Sequence, residues 1–221
     1  MTRKAYLSTL GIVYAAWWVL MAIKPKHFDD WLLENVLVVL GVALLWFTRK
    51  SFPLSRVSYT CIFVFMMLHA LGAHYTYAEV PYQRWFPMFE GGRNHFDRLV
   101  HFSYGLLLAY PIREMFLRIG NVRGFWGYFL PLDLTMSSSM LYELIEWGAA
   151  AVVGQELGMA YLGTQGDVWD AHKDMALASL GGLIAMTVAY FINRRMQRDF
   201  AREWAESIRV KRRQPLGEEA L

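Results

Sequence analysis

The hydrophobic and polar positions of this chain fall into long blocks, with no strand-like alternation and no internal repeat. A helix needs about 20 mainly apolar residues to cross a hydrocarbon core about 30 Å thick. The pattern therefore predicts an all-α protein, a polytopic transmembrane helical bundle of about six spans. The predicted spans are Tyr6 to Ile23, Trp31 to Phe47, Val57 to His74, Asp97 to Phe116, Phe125 to Val153, and Asp170 to Phe191.

The last 28 residues differ from the apolar blocks before them. We predict a transmembrane domain over residues 1–193 and a basic cytoplasmic tail over 194–221. Apolar residues recur every fourth position in this tail, at Met196, Phe200, Trp204 and Ile208, with arginines between them. This spacing predicts an amphipathic helix that lies on the membrane and contacts anionic lipid. The alternative is a solvated basic extension that only fixes the topology.

The composition supports a membrane location and excludes some functions. Apolar residues make up 56% of the chain, against about 45–50% in soluble domains. Basic residues crowd into the tail and form no nucleic-acid reading motif, so we expect membrane lipids as partners and no nucleic acid. The single cysteine, Cys61, lies in an apolar run and excludes an intramolecular disulfide. Homo-oligomerisation is compatible with this small bundle.

The distribution of lysine and arginine predicts the orientation. Basic residues precede span one, separate spans two and three and spans four and five, and follow span six. Because basic loops stay on the cytoplasmic side, we expect both termini inside a bacterial inner membrane. The apolar N-terminal segment lacks a small-residue cleavage site and is interpreted as an uncleaved first span.

With this orientation, four spans carry their ionisable residues to the outer side of the membrane. Asp97 and His101, Glu143 and Glu146, and Asp170 and Asp174 have helical spacing, so each pair shares a face. Intramembrane carboxylates usually face the bundle interior and have a partner. The candidate catalytic residues are Asp97, His101, Glu143 and Asp170. The candidate metal ligands are His69, Asp97, His101, Glu143, Glu146, Asp170 and Asp174.

Mixed histidine and carboxylate ligands favour zinc or a similar divalent ion as cofactor. A hydrogen-bond network that includes Arg98 is the competing interpretation, and Asp167 is expected to cap a helix. Ser103 and the serines at 137–139 are weaker nucleophile candidates because no neighbouring base marks one of them as activated.

Three sequence blocks carry a resemblance to a known family: Phe96-Asp97-Arg98-Leu99-Val100-His101-Phe102, Tyr142-Glu143-Leu144-Ile145-Glu146-Trp147, and the segment from Gly166 to Met175. The chain resembles the bacterial inner-membrane family typified by YjdF, which implies a multi-pass fold but no defined reaction. The same blocks are more distantly similar to VanZ-like proteins, with departures at Glu146 and near Ala178. The resemblance therefore implies no glycopeptide-resistance role.

Three functions fit these residues. The first is an enzyme that uses a metal ion or a carboxylate pair to activate water against a lipid or envelope ester. The second is a protein that transports or binds a cation, protons or a basic ligand. The third is a structural membrane protein with an internal polar network. Bound metal would distinguish the first from the others.

Overall fold

Six long helices occupy the six apolar segments in this computed structural model, which describes residues 1–85, 92–153, 164–197 and 200–211, without the side chains of Gln83 and Trp85. The long helices are α1 (Arg3–Ala22), α2 (Phe28–Thr48), α3 (Arg56–His74), α5 (Phe96–Arg118), α6 (Trp126–Val153) and α7 (Asp170–Met196). Two short helices are α4 (Tyr82–Trp85) and α8 (Phe200–Ser207). The predicted all-α polytopic bundle is confirmed.

In the described part of the chain, four helices are long and apolar enough to cross a membrane, judged by length and composition alone: α1, α2, α3 and α7. Helices α5 and α6 have 23 and 28 residues and carry more polar side chains. Several of these polar side chains, including His101, Ser139 and Glu143, are buried inside the bundle. Helix α6 continues through Pro131.

The helices differ in how far they are packed into the bundle. Helix α1 has no buried residue, and Ile12 and Leu20 are among its exposed apolar side chains. The most extensive helix pair is α5 with α7, while α1 and α2 contact the rest mainly through α3. The candidate site is therefore built on the best-packed part of the molecule.

Hydrogen bonds between loops define the two ends of the bundle. At one end, the Lys26 N–H donates to the His74 carbonyl oxygen over 2.9 Å, and Asn94 and Gln165 bond each other. We call this the cluster end. At the other, the Arg118 Nη1 donates to the Pro53 carbonyl oxygen over 2.7 Å. We call this the basic end, because the arginines of α7 also lie there.

The tail differs from the expected continuous surface helix. Helix α7 ends at Met196, and α8 turns back so that Phe200 and Trp204 pack against Tyr128 and Tyr190. Met196 and Ile208 stay exposed, so the apolar stripe is split between the protein and the outside. Residues 198, 199 and 212–221 of the predicted tail lie outside the described residues, as do 86–91 and 154–163 of the predicted outer loops.

Candidate functional site

Asp170, at the start of α7, is held by two arginines. Arg93 Nη2 lies 2.5 Å from Asp170 Oδ2, and Arg98 Nη2 lies 3.1 Å from Asp170 Oδ1. Arg93 comes from the loop before α5 and also donates to the Thr164 carbonyl oxygen. Both carboxylate oxygens of this buried residue are thus used by guanidinium groups. These contacts compete with the predicted roles of Asp170 as a catalytic residue and a metal ligand, which stay predictions.

Asp167 belongs to the same group of ion pairs as Asp170, because both contact Arg98. Its Oδ2 lies 2.5 Å from Lys173 Nζ and 2.6 Å from Arg98 Nη2, and its Oδ1 accepts a hydrogen bond from the Trp169 N–H. The Lys173 ammonium above all, with the Trp169 amide and Arg98, lowers the pKa of the Asp167 carboxyl to about 2. Helix α7 has Trp169 at its N-cap and no side-chain capping hydrogen bond, so Asp167 bonds the residue before the helix and does not cap it as expected.

A second group of ionisable residues lies deeper in the bundle. Asp97 and His101 of α5 and Asp174 of α7 each offer one ligand atom, and these three atoms lie within 4.8 Å of one another. His101 Nε2 is 3.5 Å from Asp97 Oδ1 and 3.5 Å from Glu143 Oε1 of α6. The structure therefore brings together four of the predicted site residues from three helices. We call Asp97, His101, Glu143 and Asp174 the carboxylate–histidine group.

The carboxylate–histidine group has unused polar atoms. Glu143 Oε1 and Asp174 Oδ1 are fully buried without a hydrogen-bond partner, as is the nearby Ser139 Oγ. Among the described residues, no lysine or arginine forms an ion pair with Asp97, Glu143 or Asp174, and the His101 imidazole is the nearest possible donor to Asp97 Oδ1 and Glu143 Oε1. Because an unpaired buried carboxylate is costly, these oxygens need protons or a cation.

His69 and Glu146 are not among the residues whose ligand atoms converge, Asp97, His101 and Asp174, so their role as metal ligands stays a prediction. His69 Nδ1 lies 2.6 Å from the Tyr77 hydroxyl, and His69 Nε2 lies 3.3 Å from the Glu34 carbonyl oxygen. Both ring nitrogens are therefore used by the protein. Glu146 interacts with the Tyr142 hydroxyl and, through its charge, with Glu34, Glu143 and Asp97.

Glu34 joins these contacts to the rest of the site. Its Oε2 lies 3.0 Å from the Tyr142 hydroxyl and 3.2 Å from the Tyr77 hydroxyl. The Tyr142 ring in turn contacts the His101 ring, with centroids 6.0 Å apart. Tyr142 thus connects Glu34 of α2 to the carboxylate–histidine group.

If all three contacts of this group are hydrogen bonds, Glu34 and His69 hold one proton between them. The Tyr77 hydroxyl has one hydrogen and lies between Glu34 Oε2 and His69 Nδ1, while the Glu34 carbonyl oxygen can only accept from His69 Nε2–H. If Tyr77 donates to His69, Glu34 must be a carboxylic acid for its bond to Tyr77 to form. If Tyr77 donates to Glu34, His69 must be an imidazolium. Both arrangements need the same single proton.

Sequence reasoning missed Glu34 and Arg93. Glu34 is a carboxylate within the second predicted span, and that position alone could have identified it, because intramembrane carboxylates usually have a function or a partner. Arg93 gave no such signal, since it lies in a loop 77 residues from its partner Asp170.

The donor set of the carboxylate–histidine group fits a divalent transition ion. Neutral imidazole and carboxylate oxygens are ligands of zinc and related ions. Ligand atoms about 2.0–2.2 Å from a tetrahedral metal lie about 3.4 Å apart. The two His101 distances of 3.5 Å are close to that spacing. The unpartnered oxygens of Glu143 and Asp174 favour a bound cation as much as these distances do.

Comparisons with known proteins identify relatives but no reaction. The chain is 40% identical over 169 residues to the "Inner membrane protein YjdF" of Escherichia coli (strain K12), which covers 74% of this chain and 78% of that protein. No solved structure matches the chain. The VanZ-like resemblance has no support among these comparisons. Residues 6–195 match the family described as "Predicted membrane protein (DUF2238)". With most of its length matched, this chain belongs to that family of membrane proteins.

Proposed function

We propose that this protein is a metal-dependent membrane enzyme in which Asp97, His101 and Asp174 hold one divalent transition ion, zinc or a similar metal. The single observation that carries the proposal is the convergence of their ligand atoms within 4.8 Å. Glu143 stands beside them, 3.5 Å from His101. Burial of the whole group strengthens its attraction for a cation, because water does not screen the carboxylate charges there.

The proposed reaction is hydrolysis or modification of an ester in an envelope lipid. A bound divalent ion of this kind supplies polarisation of an ester carbonyl and a more acidic water. Glu143 is the residue that accepts a proton, because its Oε1 is buried and free of protein hydrogen bonds. A lipid substrate suits the position of the group inside a helical bundle with exposed apolar helix faces.

The proposal includes an orientation. The basic end, with Arg49, Arg118 and Arg194, faces the cytoplasm, because lysine and arginine are retained on that side. The cluster end then faces out, and the carboxylate–histidine group is reached from the extracytoplasmic leaflet. Both termini are cytoplasmic in this arrangement.

Elemental analysis of the purified full chain tests the metal site. After incubation with zinc and removal of free ions, we expect about one ion per wild-type chain. Asp174→Asn and His101→Gln should lower that content at least tenfold. Asp133→Asn is the matched control, because Asp133 lies on an exposed face of α6 and should leave the content unchanged. A wild-type chain without metal, or an Asp174→Asn variant that keeps it, would contradict the proposal.

A second candidate function, proton-coupled transport or binding, is favoured by the Glu34–Tyr77–His69 network. Glu34 Oε2 and His69 Nδ1 both lie within hydrogen-bond distance of the hydroxyl of Tyr77, in the loop at the cluster end. Glu34→Gln keeps a donor at this position and should unfold near the wild-type temperature. Tyr77→Phe removes the bridge and should unfold at least several degrees lower. Equal unfolding temperatures for these two variants would argue against a shared proton.

A further inference from the structure

Arg113, near the basic end of α5, has a guanidinium whose Nε finds no hydrogen-bond partner in the described part of the chain. That atom is fully buried, and the residue makes no ion pair with any residue that the structure describes. The guanidinium carbon lies 4.5 Å from the centroid of the Tyr128 ring, so one face of the group is covered by an aromatic ring. A cation–π contact compensates only part of the lost hydration. The Nε–H donor remains available for an anion.

A cavity of about 110 Å³ adjoins Arg113 between α5, α6, α7 and α8. Asn193 and Gln197 of the last turns of α7 contribute amide groups to its wall. One N–H of Asn193 donates to the Tyr128 hydroxyl, which leaves the second N–H of that amide available. A guanidinium and two amides around one small cavity are the donors that an anion requires.

Glu203 of α8 also lines the cavity, but it does not neutralise Arg113. Its Oε1 accepts a hydrogen bond from the Gly124 N–H over 3.0 Å, which holds the carboxylate against the loop before α6. No ion pair between Glu203 and Arg113 is present in the structure. The carboxylate therefore lines one edge of the cavity without forming an ion pair with Arg113.

We propose that this cavity binds a phosphate group, supplied by a phospholipid headgroup or by free phosphate. The Arg113 guanidinium would bind two phosphate oxygens side by side, as planar guanidinium groups do. The exposed Arg194 and Arg195, one turn from Gln197, would attract anionic groups to the same end of the bundle. This site is separate from the carboxylate–histidine group, which lies at the opposite end of α5.

Native mass spectrometry of the delipidated full chain in neutral detergent tests the proposal with phosphatidylglycerol as the probe. Wild-type protein should bind phosphatidylglycerol, and Arg113→Gln should bind it at least tenfold more weakly. Arg123→Gln is the matched control, since Arg123 is an exposed guanidinium at the same end and should bind like wild type. Equal binding by Arg113→Gln and Arg123→Gln, or no binding by wild type, would overturn the proposal.

Two further arms make the result interpretable. Inorganic phosphate added in excess identifies the source: displacement of the lipid supports a site that also takes the free anion, and no displacement supports a lipid headgroup site.

Arg113→Lys keeps the positive charge and guards against misfolding of the glutamine variant. It should bind several-fold more weakly than wild type, because an ammonium cannot donate two parallel bonds, and wild-type affinity in this variant would refute the guanidinium contact.

Discussion

Gly105 of α5 and Gly181 of α7 meet backbone to backbone. A Cβ atom added at Gly181 would lie 2.2 Å from the Phe102 carbonyl oxygen, and one added at Gly105 would lie 1.8 Å from the Ala178 carbonyl oxygen. Small residues at a helix crossing allow this close approach. The crossing sets the distance between His101, one turn above Gly105, and Asp174, two turns above Gly181.

Gly181→Ala should therefore destabilise the protein strongly. Overpacking of a well-packed core costs about 1–3 kcal/mol, and here the obstructing atoms are backbone, which cannot rotate away. Thermal unfolding in detergent, followed by size-exclusion chromatography, measures the effect. Gly148→Ala is the control, because a Cβ at Gly148 has no neighbour within 4 Å. Similar unfolding temperatures for the two variants would mean that the helices are not in backbone contact.

Asp170→Asn should reduce stability without removing the proposed metal ion. Removal of one partner from a buried ion pair costs about 3–5 kcal/mol, since the other charge is left uncompensated; here Arg93 and Arg98 would both lose a partner. Unfolding temperature and zinc content per folded chain are the two measurements. Loss of zinc from folded Asp170→Asn protein would identify Asp170 as a ligand.

The Asp167 ion pairs should make stability depend on pH in the acid range. The pKa of Asp167 is lowered from its ordinary value of 3.8 to about 2, chiefly by Lys173. A lowered folded-state pKa stabilises the protein above the unfolded-state value, and this contribution disappears as the pH falls from about 4 to about 2. The difference in unfolding temperature between wild type and Asp167→Asn should therefore shrink over this interval. A constant difference from pH 6 to pH 2.5 would contradict the assignment.

Reporter fusions should place the basic end in the cytoplasm. Fusions after Lys50 and after Lys211 should be active with a cytoplasmic reporter, and an insertion near Glu79 should be active with a periplasmic reporter. The asymmetry of lysine and arginine between the two ends is the physical basis. A periplasmic C-terminus would reverse the bundle and place the carboxylate–histidine group near the cytoplasmic leaflet.

The helices could be predicted from the sequence because each apolar block is long and ends at polar residues. The predicted start of span six, Asp170, is the observed start of α7, and the predicted end of span three, His74, is the observed end of α3. Convergence of Asp97, His101, Glu143 and Asp174 followed from helical spacing and the assignment of sides. These features depend on local sequence, which is why they were accessible.

Which side chains contact each other could not be predicted in the same way. Asp170 and Asp174 share a helix face, and only the fold shows that the first contacts Arg93, 77 positions earlier, while the second faces His101. His69 gave the same signal as a metal ligand, yet Tyr77 and Glu34 use both of its nitrogens. The apolar positions of the tail could not show whether they pack against lipid or against the Tyr128 ring, because both surfaces are apolar.

The pairing of Arg98 with Asp167 has a consequence for synthesis of the protein in the membrane. The two residues are 69 positions apart, and a ribosome adding about 5–20 residues per second needs about 3 to 14 seconds to make that interval. During this time Arg98 of α5 is made before Asp167 and Asp170, the carboxylates that pair with it. The ion pairs that join α5 to the start of α7 therefore form only after α6 has been made.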